Sequence, residues 1–354
     1  MNILRFYIGK TILASSIMTL VVLAVIRVLF SLIDESSDFG KGSYQFIDGI
    51  SYALLLAPKY IYEFFPMAIL IGSIAGLGIL ASRSELTVMR AAGKTTGQIV
   101  GAALSYGMIL IAVAILLGEY VAPKTTQMAE DIRNRAIYGD RLLKSTQGLW
   151  VKDGQNMVHI SEVIGASKLK DVSIYQFNEQ QQLKQLTQAA SAELTDSGWT
   201  LINGQQSVIS SQQIVQSLFD AKQWPTSINL DHLSVLKLEP ETLNIRSLYE
   251  YRNYLHNNGL DTQAYDLAFW RKIIQPISIA VMIVLAASFI FGPMRSVSMG
   301  ARVLVGVLTG MMYFFAIRTF GPVSLVFGLP AFFGALLPPL LFAFAAWYML
   351  KKAG

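Results

Sequence analysis

Six apolar runs, each close to 20 residues long, constrain the fold of this chain more than any other feature. An α-helix needs about 20 mostly apolar residues to cross the hydrocarbon core of a bilayer. Only 14% of the 354 residues are charged, against about 25% in soluble domains. The sequence therefore predicts an α-helical membrane protein with six transmembrane helices, at about 11–33, 61–82, 98–121, 270–292, 300–319 and 331–350.

Basic residues cluster in the segments that share one side of a six-span protein. They precede the first run, follow the second and the fourth, and end the chain: Arg5, Lys10, Arg83, Arg90, Lys94, Arg295, Arg302, Lys351 and Lys352. Short cytoplasmic loops carry an excess of Lys and Arg. We therefore expect both termini to be cytoplasmic and the long segment between the third and fourth runs to lie outside.

That long segment has the pattern of a β-domain. GLWVKDGQNMVHI predicts two short strands around Asp153-Gly154, which is a strong two-residue hairpin signal. SAELTDSGWTLING predicts a second hairpin with a three-residue turn at Asp196-Ser197-Gly198, and DVSIYQFNEQQQLKQL predicts a third. Several short strands at regular spacing indicate a β-sandwich or jelly roll. The alternation implies an apolar interior that includes Leu149, Val151, Val158 and Ile160.

The periodicity changes after Pro240, where LNIRSLYEYRNYLHNNG is typical of an amphipathic helix that ends at Gly259. We therefore predict three parts: transmembrane helices 1–3 in residues 1–122, the β-domain with its connecting helix in 123–268, and transmembrane helices 4–6 in 269–354. Prolines within the predicted spans are expected to kink them: Pro66, Pro276, Pro338 and Pro339.

The segment SRSELTVMRAAGKTT, between the second and third runs, ends in Gly93-Lys94-Thr95, as a nucleotide-binding loop does. That loop also needs a glycine five positions before the Gly-Lys pair, and the position holds Val88, so we exclude it. An enzyme acting on lipids would need an acid–base or nucleophile–base group of residues. The spans contain no histidine and no deep pair of acidic residues, and the chain has neither cysteine nor G-x-S-x-G. The sequence therefore indicates a protein without catalytic activity of its own.

Four motifs in this layout carry a family resemblance. SRSELTVMRAAG follows the second span, LAFWRKIIQP opens the fourth, FGPMRSVSMGARV follows the fourth, and FGLPAFFGALLP precedes the sixth. In this order and spacing they resemble the lipopolysaccharide export permease family. YIGKTIL near the amino terminus and STQGLWVKDG in the β-domain are similar to the G-type branch of that family. The resemblance covers nearly the whole chain.

The resemblance implies six helices with a periplasmic β-jelly roll between the third and the fourth, in the inner membrane of a Gram-negative bacterium. It implies an F-type permease paralogue beside this chain and two copies of a cytoplasmic ATPase, the B subunit, below. It also implies a single-span C protein and a periplasmic bridge protein, the A subunit, that receive lipopolysaccharide. ATP and Mg²⁺ would bind to the ATPase, so this chain would hold no cofactor, and nothing in the resemblance involves nucleic acid.

By the same resemblance, the segment at about 83–93 is the coupling helix that docks into a groove of the ATPase. Leu86 and Met89 would fill the apolar groove, while Arg83 and Glu85 would make charge-assisted hydrogen bonds at its rim. Arg90 shares the same flank of the helix, which would end at Gly93. The alternative is an ordinary basic loop that meets lipid headgroups.

Arginines near the outer ends of the spans are the candidate substrate ligands. Arg27 in the first span and Arg318 in the fifth either extend to the outer headgroups or line a cavity and pair with lipopolysaccharide phosphates. Arg133 and Arg135, past the third span, are further candidates, with a solvated connector as the alternative.

Acidic residues also lie at these outer ends. Asp34, with Glu35 and Asp38, forms an acidic rim that would repel an anionic lipid unless divalent cations bridge the two. Glu63 and Glu119 are expected to pair with Lys59 and Lys124.

Two other identities for the chain stay open at this point. One is the F-type paralogue of the same complex. The other is a permease of the lipoprotein-release or macrolide-export class, which has four spans and a periplasmic domain after the first helix.

Overall fold

A computed structural model of the chain describes residues 2–353 except 140, 165–166, 179, 181, 196–197, 211–212, 227–238 and 293–296. Arg295, which contributed to the predicted orientation, lies outside the described residues. So do Asp196 and Ser197 of the second predicted turn.

Six of the helices in the described part of the chain are long and apolar enough to cross a membrane, as predicted. In chain order the helices are α1 (Asn2–Glu35), α2 (Phe46–Leu55), α3 (Ala57–Ser82), α4 (Glu85–Ala91), α5 (Thr96–Leu116), α6 (Ala122–Tyr138), α7 (Ile245–Asn257), α8 (Gln263–Phe291), α9 (Met299–Val326) and α10 (Ala331–Ala353). The six spans are α1, α3, α5 with α6, α8, α9 and α10.

Several spans are longer than their apolar runs. The third continues through a π-turn, Leu117–Val121, into α6, so Thr96–Tyr138 forms one 43-residue helix that extends beyond the predicted membrane boundary. Pro123 lacks the amide hydrogen that would bond to the carbonyl group one turn earlier, and the π-turn accommodates that loss. The fifth span was predicted to end at 319, but α9 continues to Val326, where Gly328 with a positive φ of 69° follows it.

Helix α3 is the centre of the membrane bundle. It packs against α1, α8 and α9, and 78% of the residues in its most apolar stretch are buried. The contact with α1 is very close, because a Cβ atom on Gly72 would lie 2.4 Å from the Cα of Ser16. The two helices therefore pack backbone against backbone at this point.

The described residues of the β-domain form an antiparallel six-stranded sheet in the order β1-β2-β3-β4-β5-β6. Its strands are β1 (Arg141–Asp153), β2 (Asn156–Ile164), β3 (Lys168–Phe177), β4 (Leu183–Thr195), β5 (Gly198–Ile209) and β6 (Ile214–Trp224). Each strand pairs with the next in the chain, as the predicted hairpins require, and the fold is consistent with a jelly-roll-like domain. The first turn lies one residue later than predicted, since Asp153 pairs with Asn156 and the loop is Gly154-Gln155.

One face of the sheet is apolar, as the alternation predicts. Val151, Val158 and Ile160 are buried in the domain core, and Leu149 packs against it half-buried. Trp150, between two of these positions, points to the other face and contacts the rings of His159 and Tyr175. The strand register therefore separates an apolar interior from a polar exterior.

A buried ion pair joins the third and fourth spans near their ends on the β-domain side, which we call the outer ends of the spans. Lys272 of α8 lies 2.9 Å from the Oε1 atom of Glu119, and its side chain is only 4% exposed. The same ammonium group donates a 2.8 Å hydrogen bond to the carbonyl oxygen of Gly118, within the π-turn. The second oxygen of Glu119 accepts a 2.8 Å hydrogen bond from the backbone N–H of Ile245, the first residue of α7. We call these four residues the outer joint.

Beside the outer joint, a proline leaves one backbone carbonyl without its usual partner, and a side chain of another helix bonds to it. Pro66 has no amide hydrogen to donate to the carbonyl oxygen of Tyr62 in α3. The side chain of Gln275 in α8 donates a 3.0 Å hydrogen bond to that oxygen instead. Helix α3 is therefore tied to the same neighbour that carries Lys272.

Helix α7 connects the outer joint to the β-domain. At its far end, the hydroxyl of Tyr254 donates a 2.7 Å hydrogen bond to the carbonyl of Lys152, and Asn258 accepts a 2.9 Å bond from the amide of Gly154. Burial first, and then the charge of Asp153, raise the pKa of Tyr254 to about 12, so its hydroxyl remains a donor at neutral pH. The first hairpin is therefore connected to the spans through one 13-residue helix.

Two predicted ion pairs were wrong. Glu119 pairs with Lys272 rather than Lys124, and Glu63 pairs with Arg318 at 2.9 Å rather than with Lys59. Lys59 instead contacts Glu239 at 2.8 Å, a residue on the chain that returns from the β-domain. Sequence spacing favoured near neighbours, but tertiary packing brings closer partners from other elements.

We expect Lys272→Met to destabilise the protein strongly, because it leaves the buried carboxylate of Glu119 without its partner. Loss of one member of a buried pair typically costs about 3–5 kcal/mol. The exposed lysine nearby supplies the control: Lys124→Met should change stability by less than about 0.5 kcal/mol. The measurement is the thermal unfolding midpoint of each variant in the same detergent.

The double variant Glu119→Gln with Lys272→Met should be more stable than Lys272→Met alone, because it removes the uncompensated charge and keeps an oxygen acceptor for Ile245. An unchanged midpoint for Lys272→Met would show that the outer joint contributes nothing to stability.

Candidate functional site

Helix α4 lies between the second and third spans, where the coupling helix was predicted. It begins after Ser84, whose φ is 58°, and Gly93, with a φ of 83°, follows its end. Leu86 and Met89 are buried in the chain's own membrane core. They cannot also fill the groove of a partner, so this part of the prediction is corrected.

The outer surface of α4 is formed by other residues. Val88 is the large apolar side chain that points away from the bundle, with 66% exposure. Arg83 and Arg90 are exposed, and Glu85 is half-buried. The hydroxyl of Tyr7 in α1 donates a 3.2 Å hydrogen bond to Glu85, so the first span contacts α4 as well.

Two groups of charged residues at the other end of the spans contain the predicted substrate ligands. The first group lies where α1 meets α6. Arg27 lies 3.5 Å from Asp34, and its guanidinium group is 4.2 Å from the ring centre of Tyr60 in α3. Cation–π stacking and the ion pair together orient this side chain.

Arg133 provides a positive charge that pairs with two carboxylates of the acidic rim. Its Nε atom lies 2.9 Å from the carboxylate of Glu35, and its Nη2 atom contacts Asp38. Tyr44 donates a further hydrogen bond to Glu35 at 3.1 Å. The rim thus faces a cation of its own chain, and Arg133 is not an unpaired residue of a solvated connector. Arg135, two residues on, is exposed.

The second group surrounds a cavity of about 120 Å³ between α3, α8, α9 and α10. Arg318, paired with Glu63, lies at this cavity together with Lys59. Arg271 contacts Glu241 and donates a 2.6 Å hydrogen bond to the carbonyl of Ile317. Apolar and aromatic side chains form the deeper wall: Met67, Ile274, Tyr313, Phe314 and Ile317.

Sequence reasoning did not select Arg271, Lys272, Glu239 or Glu241 as site residues. A signal was present, since Arg271 and Lys272 interrupt the apolar sequence of LAFWRKIIQP. Charged residues inside a span mark either a functional site or a structural pair. The structure places Arg271 at the cavity and Lys272 in the outer joint.

Four of these arginines already have a carboxylate partner in the chain: Arg27, Arg133, Arg271 and Arg318. A phosphate group could replace these carboxylates, because it offers the same bidentate acceptor geometry to a guanidinium group as a carboxylate does. The apolar wall below the charges accommodates hydrocarbon. The outer ends of the spans therefore have the chemistry to bind an anionic lipid.

Comparison with known proteins gives a consistent result. The family model described as lipopolysaccharide export system permease LptF/LptG matches residues 6–352. The chain is 41% identical over 356 residues to lipopolysaccharide export system permease protein LptG of Escherichia coli, with 99% of each chain covered. It is 38% identical over 353 residues to LptG of Haemophilus influenzae, again with 99% of each covered. The chain belongs to the LptF/LptG family of lipopolysaccharide export system permeases.

Proposed function

We propose that this chain is the G-type transmembrane permease subunit of an ATP-driven lipopolysaccharide exporter. The observation that carries the proposal is its similarity to LptG proteins over 99% of its length. The same similarity favours the G-type over the F-type branch. The six candidate spans, with the β-domain between the third and fourth, argue against the four-span lipoprotein-release class.

The proposed orientation places α4 and both termini in the cytoplasm and the β-domain in the periplasm. The distribution of Lys and Arg supports it, because the β-domain side of the spans has no comparable excess of basic residues in its short loop. The protein would then be a multi-pass component of the bacterial inner membrane. Tags placed at 354 and in the β-domain, tested for accessibility from each side, would check this orientation.

A separate cytoplasmic ATPase dimer, the B subunit, is proposed to bind ATP and Mg²⁺ and to move the permease through α4. The burial of Leu86 and Met89 supports this role, because it fixes α4 to the core at the end of α3. The exposed surface around Val88, Arg83 and Arg90, with Glu85 at its edge, is then the contact surface for the ATPase.

The remaining partners follow from the same proposed function. An F-type paralogue lies beside this chain, and a single-span C protein associates with the pair. Lipopolysaccharide leaves through the complex to the periplasmic bridge protein, the A subunit. The apolar interior of the β-domain supports this route, because it provides a surface for acyl chains.

Lipopolysaccharide is proposed to bind where Arg27, Arg133 and Arg318 meet the outer leaflet. Its phosphates would replace Asp34, Glu35 and Glu63 as partners of these cations. Arg135 would add an exposed positive charge beside the first group. Release would restore the pairs within the chain, so the carboxylates act as competitors of the substrate.

Val88→Glu should weaken binding of the ATPase, because it puts a charge in place of the large apolar side chain of the contact surface. Loss of a central contact of this kind costs about 2 kcal/mol or more, which is over tenfold in affinity. The measurement is the amount of ATPase that co-purifies with the permease pair. Leu86→Ala is the matched control: it should lower the thermal unfolding midpoint, since Leu86 is in the core. Full ATPase binding by Val88→Glu would contradict the assigned contact surface.

Variants of Arg27 separate phosphate binding from simple extension to the headgroups. We expect less bound lipopolysaccharide per purified complex with Arg27→Lys, still less with Arg27→Gln and least with Arg27→Glu, because the planar two-pronged contact is lost and then replaced by repulsion. Asp34→Asn is the control, and it should keep or raise the loading because it removes the competing carboxylate. Wild-type loading in both the Gln and the Glu variants would remove Arg27 from the substrate site.

A further inference from the structure

A small groove lies between α1 and α5 at the end of the bundle opposite the β-domain. Its residues come from the first turns of α1, from the start of α5 and from the turn before it: Leu4, Arg5, Ile8, Lys94, Gln98, Ile99 and Ala102. Ile8, Ile99 and Ala102 are at most 2% exposed and belong to the membrane core. The groove therefore has a fixed apolar floor.

Two cations line this groove. Arg5 is exposed and Lys94 is half-buried, and neither forms an ion pair with a carboxylate in the described part of the chain. This differs from the outer ends of the spans, where Arg27, Arg133 and Arg318 are all paired. The groove consequently combines an uncompensated positive charge with an apolar floor.

The start of α5 adds to that positive charge. Thr95 caps the helix, and its hydroxyl accepts the amide hydrogen of Gln98. The first amides of a helix carry a partial positive charge that favours an anion. Gly97, in the first turn, leaves the helix start uncrowded, since a Cβ atom there would meet only the Thr95 hydroxyl oxygen, at 4.0 Å. An anionic group can therefore approach the helix start closely.

We propose that this groove binds an anionic phospholipid of the cytoplasmic leaflet. The phosphate lies between the guanidinium group of Arg5 and the ammonium group of Lys94, and an acyl chain packs against the half-buried side chain of Leu4. Basic pockets between transmembrane helices on the cytoplasmic side recognise lipid headgroups in this way. The assignment rests on the proposed orientation, which places this end of the bundle in the cytoplasmic leaflet.

The occupant is a lipid rather than a free phosphate because the cations border a hydrocarbon-like floor. Ile8 lies in the membrane-crossing part of α1, which begins at Ile3. A phosphate alone would leave uncovered the side chain of Leu4, the half-buried apolar residue of the groove. A phospholipid satisfies the charge and covers the apolar surface at once.

The location connects the lipid to α4. Lys94 directly follows Gly93, which ends the coupling segment, and Tyr7, two residues after Arg5, donates its hydroxyl hydrogen to Glu85. A lipid held by both cations therefore fixes the ends of α1 and α4 relative to each other.

The test measures lipid binding directly on the purified complex in detergent. Phosphatidylglycerol and phosphatidylcholine are added in turn, and bound lipid is counted by native mass spectrometry. The wild-type protein should bind phosphatidylglycerol at least tenfold more tightly than phosphatidylcholine. The double variant Arg5→Gln with Lys94→Gln should lose this preference. The double variant Lys351→Gln with Lys352→Gln, at another cytoplasmic basic segment, should keep it.

Three outcomes would overturn the proposal: equal binding of both lipids, an unchanged preference in the Arg5→Gln, Lys94→Gln variant, or full displacement of the lipid by millimolar inorganic phosphate. The last would assign the groove to free phosphate. A thermal unfolding midpoint equal to that of the wild type would show that the double variant is folded. Lipid binding is measured without ATP and without export. A negative result would therefore contradict the lipid site and leave the proposed transport function untouched. The accessibility tags described above test the orientation separately.

Discussion

The buried pair of Lys272 and Glu119 is the contact on which the connection between the membrane bundle and the β-domain depends. In hydrocarbon no water satisfies a polar group, so each charge and each freed carbonyl needs a partner from the chain. Lys272 donates a hydrogen bond to the Gly118 carbonyl of the π-turn, and Glu119 accepts one from the backbone N–H of Ile245 at the start of α7. Because α7 then reaches the first hairpin through Tyr254 and Asn258, a chain of hydrogen bonds connects the third and fourth spans to the β-domain.

Two charge pairs at the outer ends of the spans, Arg27 with Asp34 and Arg318 with Glu63, have the opposite property, since one member of each is largely exposed. The Arg318 side chain is 50% exposed and that of Asp34 is 70% exposed, against 4% for Lys272. Partly exposed pairs contribute little to stability and their partners exchange readily. The protein thus separates a fixed ion pair that holds its parts together from a set of pairs suited to capture and release of an anionic lipid.

Hydropathy and alternation were sufficient to predict the layout, and the reason is physical. Transmembrane length and the two-residue period of a strand are both local properties, so the six spans and the interior positions Val151, Val158 and Ile160 were visible in the sequence. Contacts between elements that are distant in the chain could not be predicted in this way. Glu63 has Lys59 four residues away, yet it pairs with Arg318 from another helix. Likewise, periodicity showed that Leu86 and Met89 share one side of α4, but only packing determined that this side faces inward.

The most direct test of this account is lipopolysaccharide transfer from reconstituted vesicles. Vesicles would contain this chain, its F-type paralogue, the ATPase, the single-span protein and labelled lipopolysaccharide, with the soluble bridge protein added outside. We expect ATP to drive label onto the bridge protein in wild-type vesicles, and transfer to fall to the ATP-free background when this chain is omitted. Transfer at the wild-type rate without this chain, or without ATP, would contradict the assignment of the chain as an ATP-driven lipopolysaccharide permease.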